Sequence, residues 1–130
     1  MSKMVLQVIS DGMKFLGLEY GLGSYSGNAA GKKVYPYFVG EYTESETDTE
    51  SGLQESTFLL TGFSRGTWLS LEDAVDSIRS YFNRISGKTV IADNGSAVAV
   101  FYSTAMIVPT GDAELKRIQI NLDVKEWKVN

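Results

Sequence analysis

Between Ser70 and Gly87 the sequence SLEDAVDSIRSYFNRISG repeats apolar residues at steps of three and four: Leu71, Ala74, Val75, Ile78, Tyr81, Phe82 and Ile85. That period lays one apolar stripe along one side of an α-helix. Ser70 with Asp73 three residues on has the spacing of a capping box, and Glu72 and Asp76 load the N-terminal end with negative charge. Arg79, Arg84 and Lys88 load the other end with positive charge, as the helix dipole favours, and Gly87 is placed to take a left-handed stop. The spacing predicts a helix over about 70–86. Each large side chain fully buried contributes roughly 1.5–3 kcal/mol, so this stripe alone compares with a domain's net stability of about 5–15 kcal/mol. The rest of the chain must therefore form a surface that covers it. The flanking segments alternate with a period of two, which points to a sheet.

With 130 residues, 43% of them hydrophobic and 22% charged, the chain is expected to form a single domain over residues 1–130. It has no cysteine and no histidine. The first absence removes disulfides, thiolate nucleophiles and the usual structural zinc sites; the second removes the commonest general base. Met1 to Tyr20 carries Asp11 and Glu19, so neither a signal peptide nor a membrane span is expected there. The net charge of −4 is local in origin. Glu41, Glu44, Glu46, Asp48, Glu50 and Glu55 follow one another with no Lys or Arg between them, and without these six the balance is +2. Such a run disfavours nucleic-acid binding on that face.

In chain order, Val5, Ile9, Met13, Leu16 and Tyr20 predict an N-terminal helix from about Lys3 to Leu18, which Gly12 and Gly17 weaken by about 1 kcal/mol apiece. A short strand over Val5 to Ile9 is the competing reading. Glycines at 21, 23, 27 and 31 then mark a mobile loop over about 21–33. A P-loop is excluded, because Ser26 and Lys33 stand where glycine and Ser or Thr belong, and the dinucleotide fingerprint fails at Ser26 as well. VYPYFVGEY (34–42) and ESTFLLTGF (55–63) predict two strands of a long-looped antiparallel hairpin, with Pro36 restricted to a sheet edge or to a strand's first residues. Between them the acidic loop, about 43–54, is too polar to pack, and its glycine at 52 is one place late for a calcium loop. Trp68 is expected as a lid over the end of the core.

Asn94-Gly95 predicts a tight turn between strands at 88–92 and 97–102. A long strand, or two joined by a kink, then runs to Val108. In the last strand Ile118, Ile120, Leu122 and Val124 alternate with Arg117, Gln119, Asn121 and Asp123, and at Lys125 the phase flips toward Trp127 and Val129. This slip predicts a β-bulge or a strand leaving the sheet at Lys125-Glu126. It also makes Lys125, Glu126, Trp127 and Val129 candidate intersubunit contacts. The order implies an α+β fold: a largely antiparallel sheet of 4–5 strands with two helices packed on one face.

No constellation carries a reaction. The serines have no histidine partner and no metal-ligand spacing appears, so no catalytic, cofactor or metal site is expected and the chain reads as a non-enzyme. The runs VYPYFVGEY (34–42), ESTFLLTGFSRGTW (55–68) leading into the amphipathic helix, and IVPTGDAELKRIQINLDVKEWKV (107–129) together resemble the tail terminator and tail-to-head joining proteins of long-tailed phages and prophages. The likeness covers about two thirds of the chain and is one of order and texture. It implies a small α+β protomer that assembles as a homo-hexameric ring on the tail tube and that can be a monomer when free in solution. Its partners would be the tail tube protein and a head completion or connector protein, in the host cytoplasm during assembly and then at the head-proximal end of the virion tail. It implies no specific nucleic-acid binding and no membrane.

Glu44, Glu46, Asp48 and Glu50 are candidate residues of a loop that either lines the ring's lumen or docks on a partner. In the lumen, like charge would let DNA pass without sticking. Reversing all four to lysine is then expected to impair tail completion or DNA passage with little change in melting temperature; full infectivity would exclude the lumen role. The rival from another class is a small acidic inhibitor resembling immunity proteins, which predicts a stable monomer and a salt-sensitive complex with a basic partner. An enzyme on the same scaffold would need a deep polar pocket with shifted carboxylates.

Overall fold

The computed structural model describes residues 1–28, 30–43 and 53–128. The elements run α1 (Lys3–Phe15), β1 (Glu19–Leu22), β2 (Tyr37–Thr43), β3 (Leu53–Arg65), α2 (Leu69–Tyr81), β4 (Lys88–Ile91), β5 (Ala97–Ile107) and β6 (Leu115–Trp127). They form one α+β unit whose six strands lie in the order β1-β2-β3-β6-β5-β4. Every neighbouring pair is antiparallel except β1 and β2, which are parallel. The sheet thus has one strand more than the 4–5 expected. The extra strand is β1, whose EYGL is too short and too close to glycines for an alternation to show.

Strands β3 and β6 form the spine, paired without a break from Leu53 opposite Trp127 to Arg65 opposite Leu115. Since side chains alternate across a sheet, this register puts Phe58, Leu60, Ile118, Ile120, Leu122 and Val124 on one face, where they are buried with Phe38, Val98 and Val100. Both helices cover that face: α1 contributes Val5, Val8, Ile9 and Met13, and α2 contributes Leu71, Ala74, Val75 and Ile78. Trp68, partly buried, packs against the same core at the start of α2.

Helix ends differ from the sequence expectation for local reasons. α1 stops at Phe15 because Gly17, at φ +71°, closes a Schellman motif in which the Gly17 N–H meets the Lys14 carbonyl and the Leu18 N–H meets the Met13 carbonyl, each at 3.0 Å. Gly17 is therefore the helix stop, and no strand forms at Val5–Ile9. α2 starts one residue before Ser70, with Trp68 at the N-cap and no side-chain cap; the Ser70 hydroxyl lies 3.1 Å from that of Ser64 instead. It ends at Tyr81, short of 86, because the Asn83 carboxamide oxygen accepts from the N–H groups of Ile85 (2.8 Å) and Ser86 (3.1 Å) and sets up a turn. Ile85 consequently leaves the stripe and is 90% exposed. Arg84 and Lys88 lie beyond the helix in the chain, with the Lys88 ammonium 5.0 Å from the centre of the Tyr81 ring.

The bulge is also displaced. β6 runs in register through Lys125 and Glu126, so the phase does not flip there; Glu126 continues the inward face and is 2% exposed. The extra residue sits in β5 at Ser103, between the Tyr102–Leu122 and Thr104–Asn121 pairs. The hairpin at Asn94-Gly95 forms as a three-residue loop, closed by the Ala92 N–H on the Ser96 carbonyl at 2.7 Å with Gly95 at φ +91°. The Tyr35–Pro36 peptide is cis and immediately precedes β2, which β1 keeps from being an edge.

Tyr20 of β1 packs against the core, and a Cβ at Gly40 would stand 2.6 Å from its hydroxyl. Burial raises its pKa from 10.0 to about 12. The unfolded chain therefore loses this proton first as pH rises, and stability falls between about pH 10 and 12. A Tyr20→Phe variant is expected to show a shallower loss over this window, read as melting temperature against pH; parallel curves would refute the linkage.

Candidate interaction surface

No helix packs on the other face of the sheet among the described residues, so its composition is set by what meets solvent or a partner. Register aligns this outer face in rows across the strands. At one end stands the row Leu53, Trp127, Ala97 and Ile91. Trp127 is 38% and Ile91 71% exposed, so this row is an apolar strip running to the β4 edge. Next to it Lys125 is half-buried, with its ammonium 5.6 Å from the centre of the Phe101 ring.

The middle rows hold Thr57, Leu59, Thr61, Gln119, Asn121 and Thr104, a mixed polar and apolar set. The Asn121 amide donates to the Thr104 hydroxyl at 2.9 Å, while its carbonyl oxygen is buried with no hydrogen-bond partner.

The opposite end is aromatic and basic. Tyr37 of β2 faces Phe63 of β3, rings stacked at 5.1 Å, and Phe63 faces Arg117 of β6. Tyr25 stacks on Tyr37 at 4.6 Å and Tyr35 tilts against it at 5.4 Å. The segment before β2 is held over the sheet because the Tyr25 hydroxyl donates to Glu19 at 3.2 Å and accepts from the Val34 N–H at 3.2 Å. Each of three cations lies over one of these rings: Lys33 over Tyr37 at 5.6 Å, Arg65 over Tyr35 at 5.7 Å and Arg117 over Phe63 at 5.6 Å. Arg65 also donates from Nε to the Tyr35 hydroxyl at 3.3 Å. The Nε of Arg117 is buried without an acceptor.

The far edge is open as well. Beyond β4, the β5 backbone from Phe101 onward has no strand neighbour on the side away from β6 among the described residues; the Tyr102 N–H instead meets the Phe82 carbonyl at 2.6 Å. Met106 and Ile107 on this stretch are 57% and 61% exposed.

Of the residues singled out from the sequence, Lys125 and Trp127 share the outer face, whereas Glu126 points into the core and cannot itself meet a partner. Val129, Glu44, Glu46, Asp48 and Glu50 lie outside the described residues. Sequence reading missed Leu53, Ile91, Met106 and the whole basic-aromatic end. These become neighbours only through the register of β2, β3, β6, β5 and β4, and only the density of tyrosines around Pro36 hinted at them. Among the described residues no three acidic side chains converge to hold a metal, and no helix is long and apolar enough to cross a membrane.

The fold and this surface define an α+β domain with one helix-covered and one open sheet face. No protein-family model matches the chain, and no curated protein matches it significantly.

Proposed function

We propose that this chain is a non-enzymatic structural subunit that assembles head to tail into a ring, capping a phage tail tube, ending its growth and joining tail to head. The observation that carries this reading is the open outer face with unlike ends, one apolar at Leu53, Trp127, Ala97 and Ile91, the other basic and aromatic at Tyr37, Phe63 and Arg117. Two different patches on one subunit make a heterologous contact, and heterologous contacts close into rings when the rotation per step permits. The tail setting, the six-fold number, the tube and connector partners and the passage from host cytoplasm to virion rest on the resemblance of residues 34–42, 55–68 and 107–129.

Native mass over a wide concentration range, with negative-stain microscopy of the same sample and of the chain mixed with isolated tail tubes, tests the reading. Rings, free or seated on tube ends, are expected. A strict monomer that also ignores tubes would overturn it. Ile91→Asp places a charge in the apolar strip and is expected to raise the concentration needed for assembly at least about tenfold. At 71% exposure it should change monomer stability by no more than about 0.5 kcal/mol.

A second reading, an acidic inhibitor of a basic partner, is favoured by the six acids without a base from Glu41 to Glu55. It predicts a monomer and a complex that weakens steeply with salt.

A further inference from the structure

We propose that the basic-aromatic end of the outer face is a docking site for the acidic segment Glu44–Glu50 of a second copy of this chain. The inference rests on the head-to-tail reading and names the contact that would make it.

Three observations converge on the patch. Lys33, Arg65 and Arg117 lie over Tyr37, Tyr35 and Phe63, and none of the three has a carboxylate within ion-pair distance among the described residues. Two acids border the patch without pairing with these cations: Glu19 accepts from the Tyr25 hydroxyl, and Asp112 acts on Arg65 only through its charge. The Arg117 Nε is buried on this face and lacks an acceptor, so the guanidinium holds its charge here with no carboxylate paired to it among the described residues.

The segment has the complementary chemistry. From Thr43 to Ser51 the sequence TESETDTES alternates strictly, with acids at 44, 46, 48 and 50 and Ser or Thr between them. In an extended chain every second side chain points the same way, so all four carboxylates would line one side at intervals of about 7 Å. Guanidinium groups laid on aromatic rings are well suited to receive such a row.

The occupant has to come from another copy. Thr43 and Leu53 anchor the segment at the far end of β2 and β3. Tyr37 is six residues back from Thr43, about 20 Å, and Phe63 is ten residues on from Leu53, about 33 Å. A chain running down to the patch and back would cover about 53 Å, whereas the ten steps between the anchors span at most about 35 Å. The segment therefore cannot lie on its own patch.

The test uses a labelled peptide spanning Glu41 to Glu55, titrated by fluorescence anisotropy into the full chain carrying Glu44→Gln, Glu46→Gln, Asp48→Asn and Glu50→Gln. Saturable binding is expected, weakened by salt and reduced at least about tenfold by Lys33→Glu with Arg65→Glu, two exposed positions. Equal binding with and without those reversals would overturn the proposal. So would a patch that ignores the peptide but takes single-stranded DNA in an Arg65-dependent way.

A second measurement mixes two full-length variants, one with the four acids changed to lysine and one with Lys33→Glu and Arg65→Glu. Each should fail to assemble alone, and together they should form mixed oligomers. Rings that form equally well from either variant would sink the contact while leaving the ring reading intact. Peptide binding by a chain that never forms rings would keep the contact and sink the ring.

Discussion

Valine at Gly62 is expected to lower the melting temperature by roughly 4–12 °C, corresponding to about 1–3 kcal/mol of overpacking. A Cβ there would stand 2.5 Å from Phe38 Cε1 and 3.0 Å from Leu71 Cδ1, in the buried layer between the sheet and α2. Propensity pulls the other way, since replacing a strand glycine with a β-branched residue is favourable by up to about 1 kcal/mol. Packing should win, because Phe38 and Leu71 are both fully buried and have nowhere to retreat. Gly40 obeys the same rule one strand away: its Cβ would meet Phe58 Cζ at 2.5 Å. A double-mutant cycle of Gly62→Val with Phe38→Leu separates the two terms. A coupling energy near zero would show that the two side chains do not compete for this space.

The second large effect has the opposite sign. Glu126→Leu should raise stability by about 1–3 kcal/mol, because it removes a buried carboxylate oxygen with no hydrogen-bond partner and extends the apolar series Ile118, Ile120, Leu122 and Val124. Thermal unfolding in urea-free buffer reads this directly. A fall in melting temperature would mean that the other carboxylate oxygen holds a contact worth more than the orphan costs. If the variant is more stable and still assembles, the acid at 126 serves neither the fold nor the contact between copies.

Much of the fold was legible because its long elements repeat their period many times. α1, the β2–β3 hairpin, the apolar stripe of α2 and the alternation of β6 all lie where the sequence places them, within a few residues. Failures occurred where a single residue decides the outcome. Asn83 ends α2 through its side chain, overruling an apolar pattern that continues to Ile85. Glu126 keeps the inward register although its charge argues for an outward one, since the thirteen paired positions along β3 and β6 outweigh one unfavourable burial. β1 has only four residues and is held by its parallel partner, a long-range pairing with no local signature.

The candidate surface was less legible than the fold. Lys125 and Trp127 could be picked from the end of the chain, but Ile91 and Leu53 join Trp127 only through cross-strand register. The stack of Tyr25, Tyr37 and Phe63 draws on three segments, and no spacing within any one of them announces the others.

The pairing of β3 with β6 has a consequence for synthesis. These two strands are the middle of the sheet, yet they come from opposite halves of the chain, with α2 and the β4–β5 hairpin made between them. While β6 is still inside the ribosome, β3 and β5 each carry a thirteen- or eleven-residue strand with an unfilled side. Folding must therefore wait until β6 has left the ribosome, and loop closure over that distance makes the docking of β6 the slow event. A nascent or truncated chain ending before Leu115 would expose two long sticky edges, so chaperone capture and aggregation should both concentrate in the interval before β6 emerges.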